Sequence, residues 1–225
     1  MKTDITTYDT TQFEIEQTVL KKYLGSSAYV EIPYGVTEIG EKAFWHNYIV
    51  EDVDIPETVT KIADLAFCHC HKLQRIIIPA SVAEIGYGVF YRCYYLKRAL
   101  ILGNVTTINA ETFEGCASLS SVTLPDSVGE ICSTAFCHCH NLKKFTLPSS
   151  LTTIGKNAFT GSGLMSLYIP ENVTRIDERA FSFCGELKQI ACQAKQKPQG
   201  WHDDWINHPV WQGGTKIIWG CKPKK

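Results

Sequence analysis

Residues 62–79 read Ile62-Ala-Asp-Leu-Ala-Phe67-Cys-His-Cys70-His-Lys-Leu73-Gln-Arg-Ile76-Ile-Ile78-Pro79, and the same apolar spacing recurs along the chain. The phenylalanines stand at Phe44, Phe67, Phe90, Phe113, Phe136, Phe159 and Phe181, a step of 23 residues that becomes 22 only at the last. The isoleucines Ile39, Ile62, Ile85, Ile108, Ile131, Ile154 and Ile176 keep the same beat. A unit this short cannot bury its apolar face alone, so repetition at this period predicts a solenoid in which each coil packs on its neighbours. Within one coil, Ile62, Ala66, Phe67 and Cys70 lie at i, i+4, i+5 and i+8, which predicts a short helix or 3₁₀ turn with Phe67 inward. Ile76 and Ile78 alternate as a short strand, and Pro79, with no N–H for a ladder, ends it. Small residues at Ala43, Ala66, Ala135, Ala158 and Ala180 mark the tightest packing beside the phenylalanines, with Val89 and Thr112 departing from the rule.

The bulk composition agrees with a folded, water-exposed chain of 225 residues, 44% hydrophobic and 20% charged. With 22 basic against 23 acidic residues, net charge is −1, which gives no basic face for nucleic-acid phosphates. No apolar run approaches the roughly 18 residues of a membrane span, so no membrane insertion is expected. The stretch Met1 to Thr7 lacks the apolar core of a secretion signal, which on its own points to the cytoplasm. Most of the ten cysteines sit at one repeat position, so their number follows from the repeat rather than from a disulfide framework.

In chain order, residues 1–12 read as a flexible tail, and 13–28 as a hairpin covering the first coil. Residues 29–192 form the coils, and 193–225 a C-terminal cap. The cap holds Trp201, Trp205, Trp211 and Trp219, four of the five tryptophans. An open terminal coil would leave a large apolar face in water, so these rings read as a lid over the last coil rather than as a ligand platform. Lys216 to Trp219 reads as a terminal strand.

The units at 55–73 (Ile-Pro-Glu-Thr-Val-Thr-Lys-Ile-Ala-Asp-Leu-Ala-Phe-Cys-His-Cys-His-Lys-Leu) and 147–159 (Leu-Pro-Ser-Ser-Leu-Thr-Thr-Ile-Gly-Lys-Asn-Ala-Phe) closely resemble the BspA-like, treponemal-type leucine-rich repeat family. The resemblance runs from about Phe13 to the C-terminus. It implies a leucine-rich repeat solenoid: a curved right-handed superhelix of seven coils, with a parallel β-sheet on one face and short helical or 3₁₀ turns opposite. It further implies a binding rather than catalytic role, associated with bacterial surfaces and adhesion, and hence a cell-surface or secreted location. This chain departs from the pattern at Leu102, where the repeat has proline. The ladder cysteine is likewise replaced by Asn47 in the first coil and by a shortened Gly161-Ser162-Gly163 loop in the sixth.

Cys68-His69-Cys70-His71 and Cys137-His138-Cys139-His140 carry zinc-ligand chemistry. Their placement argues for a structural role. Cys70, Cys93, Cys116, Cys139 and Cys184 form one inward ladder, in which a thiol acts as a small apolar filler and weak donor to carbonyls. The two motifs lie three coils apart, roughly 14 Å at the strand spacing, too far to share an ion. No metal, cofactor or catalytic residue is therefore assigned. Cys68 and Cys137 read as the exposed thiols, and Cys192 with Cys221 as a pair that the cap strand could bring together. His202, Asp203, Asp204 and His208 read as a solvated loop. Asn104-Val-Thr106 and Asn172-Val-Thr174 match the N-glycosylation pattern at ordinary repeat positions.

A parallel sheet presents outward side chains in register, one row per coil, and Arg75, Ile77, Arg98, Leu100, Lys144 and Tyr168 fall on those outward positions. Arginine beside exposed aliphatic residues is the composition of an interface. The expected function is protein binding through this face, in the manner of an adhesin. The alternatives are a self-associating scaffold and a metal or redox protein using the Cys-His-Cys-His turns.

Overall fold

The computed structural model describes residues 9–206 and 214–222. Of the expected tail at 1–12, residues 1–8, together with His208 and Trp211, fall outside the described residues, while 9–12 form a turn in which Gln12 N–H donates to Asp9 O at 3.0 Å. An antiparallel hairpin of β1 (Phe13–Glu16) and β2 (Val19–Tyr23) opens the fold. The following coils lay strands of three or four residues on a front face, except at residues 143–147, and two-residue strands on a back face. In chain order these are β3 (Tyr29–Glu31), β4 (Glu38–Ile39), β5 (Asp52–Asp54), β6 (Lys61–Ile62), β7 (Arg75–Ile78), β8 (Glu84–Ile85), β9 (Arg98–Ile101) and β10 (Thr107–Ile108). They continue as β11 (Ser121–Thr123), β12 (Glu130–Ile131), β13 (Thr153–Ile154), β14 (Ser166–Ile169), β15 (Arg175–Ile176), β16 (Gln189–Cys192) and β17 (Lys216–Ile218). All pairings after the hairpin are parallel, and the chain makes a β-solenoid of about eight turns.

The sequence periodicity counts seven coils. The structure adds one because the hairpin imitates a coil without sharing its spacing. Leu20 pairs with Ile39 in the isoleucine column, and Tyr23 stacks on Phe44 at 5.2 Å. From Phe44 to Phe181 successive rings lie 4.7 to 5.5 Å apart, with planes within 15°. All seven are almost wholly buried, each contributing roughly 1.5–3 kcal/mol by burial. Thr112 fits the alanine column because its hydroxyl donates to Asn109 O at 2.7 Å.

The expected helix is absent among the described residues, and residues 64–69 form turns instead. Leu65 and His69 have φ of 56° and 59°, and the same two positions recur with positive φ in every coil through Arg179 and Phe183. Two left-handed residues four apart cannot belong to one right-handed helix. Backbone donors alternate accordingly. Ala66, Cys68 and Cys70 N–H donate back three residues within the coil. Leu65, Phe67 and His69 N–H donate to Tyr87, Val89 and Tyr91 carbonyls of the next coil at 2.8, 2.9 and 2.8 Å. The turn face is thus a third inter-coil ladder, and the i, i+4 spacing reflects a tight turn of period four.

The front sheet is interrupted where residues 143–147 form no strand. Phe145 occupies the inward position held by Ala99 in β9 and Val122 in β11, and its ring meets Phe136 and Phe159 edge-on at 5.0 and 5.1 Å. The back sheet breaks between β8 and β10. There the Asn109 side-chain amide, rather than a backbone N–H, donates to Ile85 O at 2.7 Å.

Candidate interaction surfaces

On the front face, β7 and β9 pair Arg75 with Arg98 and Ile77 with Leu100 in register. Ile77 is 53% exposed, Arg75 and Arg98 are exposed, and Leu100 is half-buried. These four expected residues form one group. Arg75 is not a free cation, because its guanidinium Nε donates to Asp52 Oδ2 at 2.9 Å and its Nη2 also reaches that oxygen. With Arg75 so exposed, the pair contributes little to stability and mainly orients the guanidinium.

The structure does not bring the other two residues into this group. Lys144 is exposed but lies in the strandless segment, beyond Ser121 from Arg98, so the expected strand row is broken there. Tyr168, on β14, is half-buried and donates its hydroxyl to Gln193 Oε1 at 2.9 Å. Toward the N-terminus the face turns acidic. A cleft of about 760 Å³ is lined by Asp9, Glu31, Asp54 and Glu57 beside Tyr29 and Tyr34. Its edge strand β3 is partly closed by Ser27, whose hydroxyl donates to Tyr29 O and accepts from Tyr29 N–H.

The cysteine ladder is built as a column of donors. Sγ of Cys70, Cys93, Cys116, Cys139 and Cys184 donates to Phe44, Phe67, Phe90, Phe113 and Phe159 O at 3.0–3.2 Å. Cys68 and Cys137 correct the sequence expectation: they are buried, with 4% and 6% exposure. Each is a short side chain beside a longer one at the same repeat position, Cys68 between Trp45 and Tyr91 and Cys137 next to Glu114. Burial raises both thiols, Cys137 to about 12. Every cysteine is free, and Cys221 N–H donates to Cys192 O at 3.0 Å. Among the described residues, no group of three or more His, Cys, Asp or Glu side chains is placed to hold a metal ion.

The histidines take part in a feature that sequence reasoning missed. His46 stacks on His69 at 4.4 Å, His69 Nδ1 lies 3.2 Å from His71 Nε2, and His71 packs against Tyr48 at 5.0 Å and Tyr94 at 4.8 Å. Trp45 meets His46 edge-on at 4.3 Å. Burial, then the neighbouring imidazoles, hold His69 and His71 below the usual histidine range. The signal was available as columns: reading positions 45–49, 68–72 and 91–95 beneath one another shows aromatic residues at the same steps.

In the cap, Asp204 N–H donates to His202 Nδ1 at 3.0 Å, and the Asp203 carboxylate accepts from Lys197. No helix is long and apolar enough to cross a membrane among the described residues.

A family profile described as BspA type leucine rich repeat region matches in six copies, over residues 14–139 and 106–199. A leucine-rich repeat protein from Bacteroides ovatus is similar at 25% identity and a TM-score of 0.66, over 90% of this chain and 59% of that one. A leucine-rich repeat protein from Eubacterium ventriosum aligns at 24% identity and a TM-score of 0.56, over 66% of this chain and 47% of that one. The chain therefore spans about half to three-fifths of the length of these solved relatives. Curated proteins offer no match.

Proposed function

We propose that this chain, which belongs to the BspA-type leucine-rich repeat family, is a protein-interaction module that binds a protein partner through its front strand face. The observation that carries this reading is the registered group on β7 and β9, where two exposed arginines stand beside an exposed Ile77 and a half-buried Leu100. Exposed aliphatic side chains flanked by arginine suit a desolvated interface centre with charged surroundings. Lys144 and Tyr168 extend the proposed face as outlying contacts. A role as a cell-surface adhesin is part of the proposal and rests on the family resemblance alone. No catalytic step is assigned.

The test compares wild type with a variant carrying Arg75→Glu, Arg98→Glu and Lys144→Glu in capture of surface proteins from co-resident bacteria and host cells. Loss of a specific captured protein by the variant supports the reading, and undiminished capture counts against it. Self-association is the second reading, favoured by β17, which among the described residues pairs on one side only, with β16. A mass by light scattering that stays monomeric up to high concentration would remove it. A redox role draws no support from the thiols of the Cys-His-Cys-His turns, Cys68, Cys70, Cys137 and Cys139, which burial holds protonated at neutral pH.

A further inference from the structure

We propose that the corner segments of the first three coils, residues 45–49, 68–72 and 91–95, form a second docking surface whose occupant is an acidic segment of a protein. The segments read Trp-His-Asn-Tyr-Ile, Cys-His-Cys-His-Lys and Tyr-Arg-Cys-Tyr-Tyr. The same positions in the next three coils read Glu-Gly-Cys-Ala-Ser, Cys-His-Cys-His-Asn and Thr-Gly-Ser-Gly-Leu. The core columns beneath are alike in all these coils, so packing does not demand large rings on the outside of the first three. They are nonetheless exposed, Trp45 by 52%, Tyr48 by 49% and Tyr95 by 59%. A contiguous band of exposed aromatic surface marks an interaction site rather than scattered surface apolarity.

The band is built before any partner arrives. Successive contacts tie Trp45 to His46, His46 to His69, Tyr48 to His71 and His71 to Tyr94. Rings already held by their neighbours lose little rotamer freedom on binding, which lowers the ordering cost of the interface.

Charge selects the occupant. The three segments contain no carboxylate, Lys72 and Arg92 supply permanent positive charge, and the tyrosine hydroxyls and imidazoles supply donors. Glu111 and Glu114 of the fourth coil border the patch beside Tyr91 and Arg92 and leave its positive side at Lys72 and the histidines. Ile49, 43% exposed in the same segment as Trp45, adds an apolar contact suited to the side chains of a peptide rather than to a polysaccharide. The groups facing His69 and His71 are His46 and Tyr48 from the first coil and Tyr91, Arg92 and Tyr94 from the third, with Cys68 and Lys72 on their own coil. No acid is among them. Burial first, then the adjacent imidazoles and, for His69, Arg92, hold both rings below the usual histidine range, so they are neutral near pH 7. An arriving carboxylate favours their protonated form, so binding takes up protons and tightens as pH falls from 8 to 6.

The experiment titrates the full chain with a fluorescein-labelled ten-residue peptide of alternating glutamate and leucine, beside the matching lysine–leucine peptide and dextran sulfate. Expected results are binding of the acidic peptide alone among the two, several-fold tighter at pH 6 than at pH 8. A variant with Lys72→Glu and Arg92→Glu should weaken it about tenfold, while Arg92→Lys, which keeps the charge, binds nearly as wild type. Thermal melting checks that each variant is folded. If the double variant does not fold, Trp45→Ala serves in its place, with the same weakening expected. Equal binding of both peptides, no effect of folded variants, or binding of dextran sulfate without the acidic peptide each overturns the proposal. The front-face variant with Arg75, Arg98 and Lys144 replaced should leave this binding intact, which separates the two surfaces.

Discussion

Cys93 shows how a single buried thiol serves the repeat. Its Sγ–H reaches Phe67 O at 3.1 Å across coils, giving a second donor to a carbonyl that already accepts from Cys70 N–H within its own coil. The weak-donor role of this column was legible in the sequence, because five cysteines fall at one repeat position. The burial of Cys68 and Cys137 was not, since it depends on the height of side chains 23 residues away. Folded-state burial raises Cys132 to about 11 and Cys137 and Cys192 to about 12, while an unfolded thiol ionises near 9. A raised acid holds its proton in the folded state after the unfolded chain has released it, so stability is complete below about pH 9 and declines as pH climbs toward 12. The melting temperature should therefore be level between pH 7 and 8.5 and fall progressively from pH 9 to 11. Cys137→Ser and Cys192→Ser together should lessen that fall without removing it, because burial also raises the ladder thiols Cys70, Cys93, Cys116 and Cys139. A level wild-type profile to pH 11 would contradict the argument.

At the scale of the element, the corner turn departs most from what the chain alone suggests. Strands, their ends at proline and their inward residues follow from alternation, which is a local property. The turn's identity follows from hydrogen bonds to the next coil, so an apolar spacing of four reads equally well as helix or as stacked turns. The 22-residue coil is a case where the local reason can be named. Gly163 N–H donates to Cys139 O at 3.1 Å, and a Cβ at residue 163 would lie 2.0 Å from His140 O. That approach shortens the loop by one residue, and Ser162, 3% exposed, fills the cysteine position within it and meets Cys184 Sγ at 3.3 Å. Backbone cannot yield as a flexible side chain does. Gly163→Ala should thus cost about 2–3 kcal/mol in urea unfolding, through displacement of the loop from its neighbour. A loss below half a kilocalorie would mean that the coil relaxes freely.

For the whole molecule, stability passes from coil to coil, so the ends decide how far the array holds together. The periodicity located the array and its tryptophan-rich end, but not how that end substitutes for a coil. Trp201 pairs beside Ile176 and donates its indole N–H to Val173 O at 2.9 Å. Trp205 meets Phe181 edge-on at 5.9 Å, and its carbonyl accepts from Phe181 N–H. The two tryptophans therefore continue the isoleucine and phenylalanine columns, four residues apart instead of five, a change that hides them from any search at the repeat's own spacing. Tyr23 does the same at the other end. Trp205→Ala would uncover Phe181 and cost about 3–5 kcal/mol if the loss is shared by the whole array. If it is confined to the last coils, amides of β15 and β16 should exchange far faster while those of β6 to β9 keep wild-type protection. The nearest-neighbour character of the fold favours the second result. Hydrogen exchange read coil by coil would decide it, since uniform acceleration along the chain would show a single cooperative unit, and unchanged exchange near residue 181 would show that Trp205 does not cap it.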